Sequence, residues 1–396
     1  MGKTLKIING RIITSHRIID NASLLISDGI ITGVSEKKIH SKADIILDAR
    51  GNYISPGFID IHIHGGGGSD FMDGTVKDFI TIAETHLRHG TTSMVPTSLT
   101  ARKEDLLHTL DIYKKAHSKN KSGARFLGMH IEGPYFALSQ KGAQDARYIR
   151  KPDKEEYSDI IKKAGDIIVR WSAAPELEGA MEFGRYLQAH DILPAIAHTD
   201  AIYDDVVNAF ENGYTLATHF YSAMSGVTRR NAYRYAGVVE SVYLMDEIDV
   251  EIIADGVHLP APLLKLIYKI KGVDRIALIT DAMRAAGIET RESILGSKKD
   301  GLKVIIEDGV AKLPDRSSFA GSVATTDRLV RTMIKMAEIP LTEAIRMMTL
   351  TPARIMKIDK HKGSIALGKD ADILIFDENI NIQTSIIGGN ILHNKL

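Results

Sequence analysis

The chain has 396 residues, 50 of them basic and 50 acidic, for a formal net charge of zero. That balance gives no electrostatic footprint for nucleic acid or an anionic membrane surface, and no run of about 18 apolar residues offers a membrane span. Cysteine is absent, which excludes disulfides, thiolate metal ligands and a cysteine nucleophile. With no apolar core of signal-peptide length after Met1, a cytoplasmic protein without nucleic-acid or membrane partners is expected.

Residues 1–54 read as short strands, at Leu5–Ile8, Arg11–Thr14, Ser23–Ile26 and Ile30–Val34. Asn9-Gly10 and Asp28-Gly29 separate the first and last pairs as hairpin signals. The far end is similar, with Ala371–Phe376 strand-like and Gly388-Gly389 preceding Asn390–Leu392. Neither end carries a robust core alone, so one small β-sandwich shared by both termini is expected.

Between the ends, apolar strand-like runs alternate with helical stretches such as Thr75–His89 and Asp204–Glu211. The runs are Gly57–Ile63, Thr91–Pro96, Phe126–Ile131, Ile167–Ala173, Leu193–Ala197, Thr215–Thr218, Val250–Ala254 and Ile276–Thr280. Eight such units predict the α/β class, a TIM-type (β/α)8 barrel over 55–361. The sandwich would then be made by 1–54 and 362–396. Asp308-Gly309 within Lys303–Leu313 reads as a hairpin inserted after the eighth strand.

The first run ends in Asp60-Ile61-His62-Ile63-His64, followed by four glycines, Gly65 to Gly68. Strand side chains alternate faces, so His62 and His64 project together. Alone, the pair could be two satisfied core histidines or a site for zinc or divalent iron. The other strand ends add to it: Glu132 on the third, His198 on the fifth, His219 on the sixth and Asp281 on the eighth. Six ligand-type residues at one barrel end exceed what packing needs. Three or four fill one tetrahedral site, and six serve two metals bridged by a carboxylate. His130 shares a face with Glu132 and is expected behind the ligands. His86, His89, His108, His117 and His190 are expected to be solvated on helices. His258, after the seventh strand, is expected to touch substrate.

These residues lie in Pro56-Gly57-Phe58-Ile59-Asp60, His130-Ile131-Glu132-Gly133-Pro134, Thr218-His219-Phe220, Thr280-Asp281-Ala282 and Ala320-Gly321-Ser322, ahead of a Gly363–Asp372 tail. Taken in order, the segments resemble the amidohydrolase superfamily and, within it, the N-acetylglucosamine-6-phosphate deacetylases. The resemblance implies a metal held by Glu132, His198 and His219, a second at His62 and His64 with Glu132 bridging, and Asp281 as the catalytic carboxylate. It implies one or two divalent metals per subunit (Zn2+ or Fe2+), an amino-sugar phosphate as the small-molecule partner, and a homodimer. Substrate contacts would come from Gln144, Ser222, Ala223, Arg234 and His258.

Three departures fall in that recognition region. Gln144 stands where the family often has histidine, Ser222 where it has asparagine, and Arg234-Tyr235-Ala236-Gly237 where it has Arg-Glu-Pro-Gly. The resemblance implies the gluco sugar, and these departures leave the galacto epimer as the alternative. A dihydroorotase-type hydrolase would put a carboxylated lysine on the fourth strand, yet that strand reads Val169-Arg170-Trp171-Ser172. A serine nucleophile lacks its Gly-x-Ser-x-Gly spacing around Ser322. A non-catalytic sugar-binding relative would be expected to lose ligands.

Overall fold

The computed structural model describes residues 3–37 and 39–396. Met1, Gly2 and Lys38, within the expected N-terminal β piece, lie outside the described residues. The two chain ends share one hydrogen-bonded sheet of eight strands. Its order is Asn390–Asn394, Ile382–Ile387, Ile373–Phe376, Tyr53–Pro56, Thr4–Ile13, Ile18–Ser27 and Ile30–Ser35, with Ile45–Asp48 also pairing Thr4–Ile13. The ends meet where Ile54 lies antiparallel to Ile375. The period of two along each strand sends Leu5, Ile7, Ile54, Ile373 and Ile375 into one buried cluster.

Asp28-Gly29 does turn a hairpin. Asn9-Gly10 does not: Thr4–Ile13 is a single strand, and its register slips between Ile7 and Gly10. Asn9 takes φ 55, and a Cβ on Gly10 would sit 2.3 Å from Ile54 Cδ1. The dipeptide is spent on a bulge under a packed neighbour, so the hairpin expected there is corrected to a continuous strand.

The middle of the chain is mixed α/β. Phe58–Ile63, Thr91–Pro96 and Arg125–Phe126 form one parallel sheet. Met129–Glu132, Ile168–Ala173, Leu193–Ile196, Leu216–Ala217, Asp249–Ile253 and Ile276–Ile279 form a second, each parallel to the next. The expected strand Phe126–Ile131 is broken at Gly128, whose φ of 127 and crowding against Val169 leave no room for a side chain. Bonds also run between the two sheets. Thr97 bridges His130, Asp281 N donates to His62 O at 3.0 Å, and Thr280 Oγ1 donates to Asp60 Oδ2 at 2.5 Å. Phe58–Ile63 is buried along its whole length, which is why its sequence is a near-continuous apolar run.

Helices connect the strands, among them Val76–Leu87, Lys103–Lys119, Tyr203–Glu211 and Ala261–Lys271. Thr75 caps the first, accepting from Asp78 N at 3.2 Å. Antiparallel pieces are added. Glu292–Leu295, Leu302–Glu307 and Val310–Lys312 form a three-stranded insert turning at Asp308-Gly309. Thr228–Arg230 and Tyr233–Tyr235 form a short hairpin. Among the described residues no helix is long and apolar enough to cross a membrane.

Candidate metal centre

All six expected ligand-type residues converge at one end of the parallel strands. His62 Nε2 lies 3.2 Å from His64 Nε2. Glu132 sits between this pair and the other two histidines: Oε1 is 3.0 Å from His219 Nε2 and 3.5 Å from His198 Nε2, and Oε2 is 3.4 Å from His64 Nε2. Asp281 Oδ1 closes the ring at 3.0 Å from His64 Nε2 and 3.5 Å from His62 Nε2. All six are buried. His198, His219 and Asp281 each follow a strand end and take positive φ, at 46, 32 and 46. Such backbone costs about 1–3 kcal/mol per residue and concentrates where function holds it.

The ring nitrogens away from the centre fix the chemistry of those facing it. His198 Nδ1 lies 2.7 Å from Gln140 O and His219 Nδ1 3.2 Å from Ser222 O. A carbonyl only accepts, so both Nδ1 atoms carry the hydrogen and both Nε2 atoms aim at a carboxylate oxygen. Neutral imidazole against carboxylate is acceptor against acceptor, an arrangement that needs a positive charge between them. Glu132, His198 and His219, and likewise His62, His64 and Glu132, each bring three ligand atoms within 4.8 Å of one another. A nitrogen-and-oxygen set of this kind fits a borderline divalent cation.

The charges agree with that demand. Burial pushes Glu132 up, but the surrounding His62, His198 and His219 hold its carboxyl well below the usual range. Burial pulls His64 down, yet its hydrogen bond to Asp281 and the Glu132 charge hold it up at about 9. Burial likewise pulls on His219, and Glu132 raises it. The same carboxylate charges that raise His64 and His219 would attract a cation placed among these groups.

Beneath lies a buried polar layer. Arg170, fully buried, donates to Glu251 Oε2 at 2.6 Å, Thr218 Oγ1 at 2.8 Å and Ile61 O at 3.2 Å. Glu251 Oε2 is 3.5 Å from His62 Nδ1. His130 meets Ser172 Oγ at 2.7 Å, behind the ligands as its shared face with Glu132 implied.

Above opens a cavity of about 800 Å³ lined by the centre and by Gln144, Ser222, Ala223 and His258. His258 Nδ1 is tied to Asp255 Oδ2 at 2.8 Å, and its ring lies 4.6 Å from that of Phe319. Arg234 is on the exposed hairpin and does not line the cavity. The cations that do are Lys141, Lys312 and Arg316. Lys312 and Arg316 are paired to Glu307, whereas Lys141 Nζ meets the Gly142 carbonyl at 3.3 Å and forms no ion pair among the described residues. Sequence reasoning gives Lys141 no role, since a lone lysine in a loop carries no spacing signal. It also misplaces His86, which is buried and meets Gly65 O at 2.9 Å. The turn after the His-x-His strand packs onto that ring, for a Cβ on Gly66 would lie 2.5 Å from His86 Nε2.

Comparison with known proteins matches residues 53–392 to the model described as Amidohydrolase family. The N-acetylglucosamine-6-phosphate deacetylase of Lysinibacillus sphaericus is 33% identical over 375 residues, covering 92% of this chain and 91% of the relative. The N-acetylgalactosamine-6-phosphate deacetylase of Escherichia coli O157:H7 is 30% identical over 383 residues, covering 96% and 97%. The crystal structure of N-acetylglucosamine-6-phosphate deacetylase from Pasteurella multocida superposes with a TM-score of 0.91 at 28% identity, covering 99% of this chain and 100% of that one.

Proposed function

The chain belongs to the amidohydrolase family, and from that premise we propose that it removes the acetyl group of N-acetylglucosamine 6-phosphate, giving glucosamine 6-phosphate and acetate. It is a hydrolase of amide carbon–nitrogen bonds and an amino-sugar deacetylase. One observation carries the site assignment: His64, Glu132, His198, His219 and Asp281 line the floor of a single cavity, with His62 buried directly behind them, its Nε2 3.5 Å from Asp281 Oδ1. Glu132, His198 and His219 would hold one divalent metal, and His62 and His64, with Glu132 and Asp281, a second. Such a metal, when bound, supplies Lewis-acid polarisation of a carbonyl and lowers the pKa of a water to about 7.

The chain's own groups do the rest. Asp281 takes the proton of the attacking water and delivers it to the departing nitrogen. The C–O bond forms first at the carbonyl carbon, the C–N bond then breaks as the nitrogen is protonated, and acetate and the free amine leave. Ser222, Ala223 and His258 line the sugar side. His258 and Lys141 meet the phosphate from within the chain, and Arg234 reaches it only across a homodimer.

The fold reading extends the same way. The bonds from Asp281 to His62 and from Thr97 to His130 support closure of the two parallel sheets into a (β/α)8 barrel over 55–361. The shared core of both chain ends supports a small sandwich from 1–54 and 362–396.

The test is acetate release from the 6-phosphates of N-acetylglucosamine and N-acetylgalactosamine and from the free sugars, with zinc or ferrous iron supplied. The gluco phosphate should give the highest kcat/KM. A higher value for the galacto phosphate would move the assignment to the epimer, as the Escherichia coli relative's activity allows. Release from none of the four would remove the deacetylase reading.

A further inference from the structure

Gln144 lines the sugar cavity, but its side chain is already committed elsewhere. Thr100 N donates to Gln144 Oε1 at 2.9 Å. A backbone N–H can only donate, so it fixes the amide's orientation and turns Nε2 the other way. Nε2 then donates to Glu132 Oε2 at 2.6 Å, a charge-assisted bond to a buried carboxylate. Gln144 is itself buried, at 5% exposure. The same loop holds a second ligand. Gln140 O accepts from His198 Nδ1 at 2.7 Å, and Gln140 Nε2 donates to Asp200 Oδ1 at 2.6 Å. Ala137 N closes the loop's start by donating to His198 O at 2.9 Å.

We propose that Gln144 is a positioning residue of the metal centre: its amide, keyed by the Thr100 N–H, holds Glu132 Oε2 so that Oε1 faces His198 and His219. This rests on the reading of those three residues as ligands. A carboxylate on a flexible glutamate arm can turn about its last bond. A donor at one oxygen removes that freedom before any cation arrives, and partners of ligands are worth about 10- to 100-fold in metal affinity. The position then does different work from a sugar contact. It is read in the absence of sugar, through the affinity of the centre for its ion.

The experiment is competition for Zn2+ between the protein and a chromogenic chelator, with no sugar present. It compares the parent, Gln144→Met, Gln144→Asn and His198→Ala. Methionine keeps the length and loses the donor; asparagine keeps the amide and loses the reach. Both Gln144 variants should bind Zn2+ about 10- to 100-fold more weakly than the parent, and His198→Ala more weakly still. If a folded Gln144 variant binds within about threefold of the parent while its KM for sugar rises, Gln144 is a sugar contact and the proposal is overturned. A lower melting temperature with unchanged affinity would mean a loop-packing role alone, and overturns it equally. If the parent takes up no Zn2+, or His198→Ala matches it, the ligand reading falls and this inference with it.

Discussion

At Asp281 the backbone leaves its strand in the left-handed region and turns a carboxylate onto His64. Burial would raise this carboxyl, but the hydrogen bond to His64 and the charges of His62 and His64 lower it. It is therefore an acceptor, as a proton-transfer role requires. Asp281→Asn keeps the shape and removes the acceptor, so turnover should fall by about 100-fold or more, the contribution of a positioned acid–base group. Zn2+ uptake should be largely retained. A rate within about tenfold of the parent, roughly 1.4 kcal/mol in barrier, would take the proton role from Asp281. The same scale separates the candidate phosphate cations. Lys141 lines the cavity and forms no ion pair among the described residues, whereas Arg234 is on the exposed hairpin. Lys141→Ala should lower the preference for phosphorylated over free sugar by about tenfold at monomer concentrations. Arg234→Ala should lower it only where a dimer forms. If Arg234→Ala acts on a monomer, the hairpin itself moves over the cavity.

The strand that carries His62 and leads into His64 joins the terminal sheet to the parallel strands through one residue, Gly57. A Cβ there would lie 2.0 Å from Thr92 Oγ1, 2.4 Å from its Cγ2 and 2.7 Å from its Cβ. Gly57→Ala should therefore destabilise by about 1–3 kcal/mol, as overpacking does. Adding Thr92→Gly should recover more of the melting temperature than adding Thr92→Ala, because alanine leaves the 2.7 Å contact. Equal rescue by both would mean the backbone moves instead. The buried Arg170–Glu251 pair obeys a related logic. Glu251→Gln strands a guanidinium and should cost about 3–5 kcal/mol, read from the melting temperature. A change under about 1 kcal/mol would mean that water or another group replaces the carboxylate. These two elements also show what the sequence made legible. Apolar runs with polar residues at their ends located Phe58–Ile63, Thr91–Pro96, Ile168–Ala173 and Ile276–Ile279 to within a residue or two, because strands buried on both faces read as continuous apolar runs. The histidines and carboxylates of the centre were legible for the same reason, each standing where such a run stops. The bulge at Asn9-Gly10, the break at Gly128 and the burial of His86 were not, since each depends on a neighbour distant in sequence: Ile54, Val169 and Gly65.

The six groups of the centre span residues 62 to 281 and arrive from five strand ends, so only the folded chain presents them together. A cation bound there acts on the whole molecule as a ligand of the native state. It stabilises by RT ln(1 + [L]/Kd), about 2.7 kcal/mol when free metal is a hundredfold above its dissociation constant. With an unfolding entropy of about 2.1 cal/mol/K per residue, that amounts to about 3 °C for a chain of this length. Dialysis against a chelator should therefore lower the melting temperature by about that amount, and returning Zn2+ at the hundredfold excess should restore it. His198→Ala should lose most of the shift. Lys141→Ala, which leaves every candidate ligand in place, should keep it. A parent whose melting temperature ignores both chelator and Zn2+ would mean that protons alone, drawn in by Glu132 and Asp281, neutralise the centre.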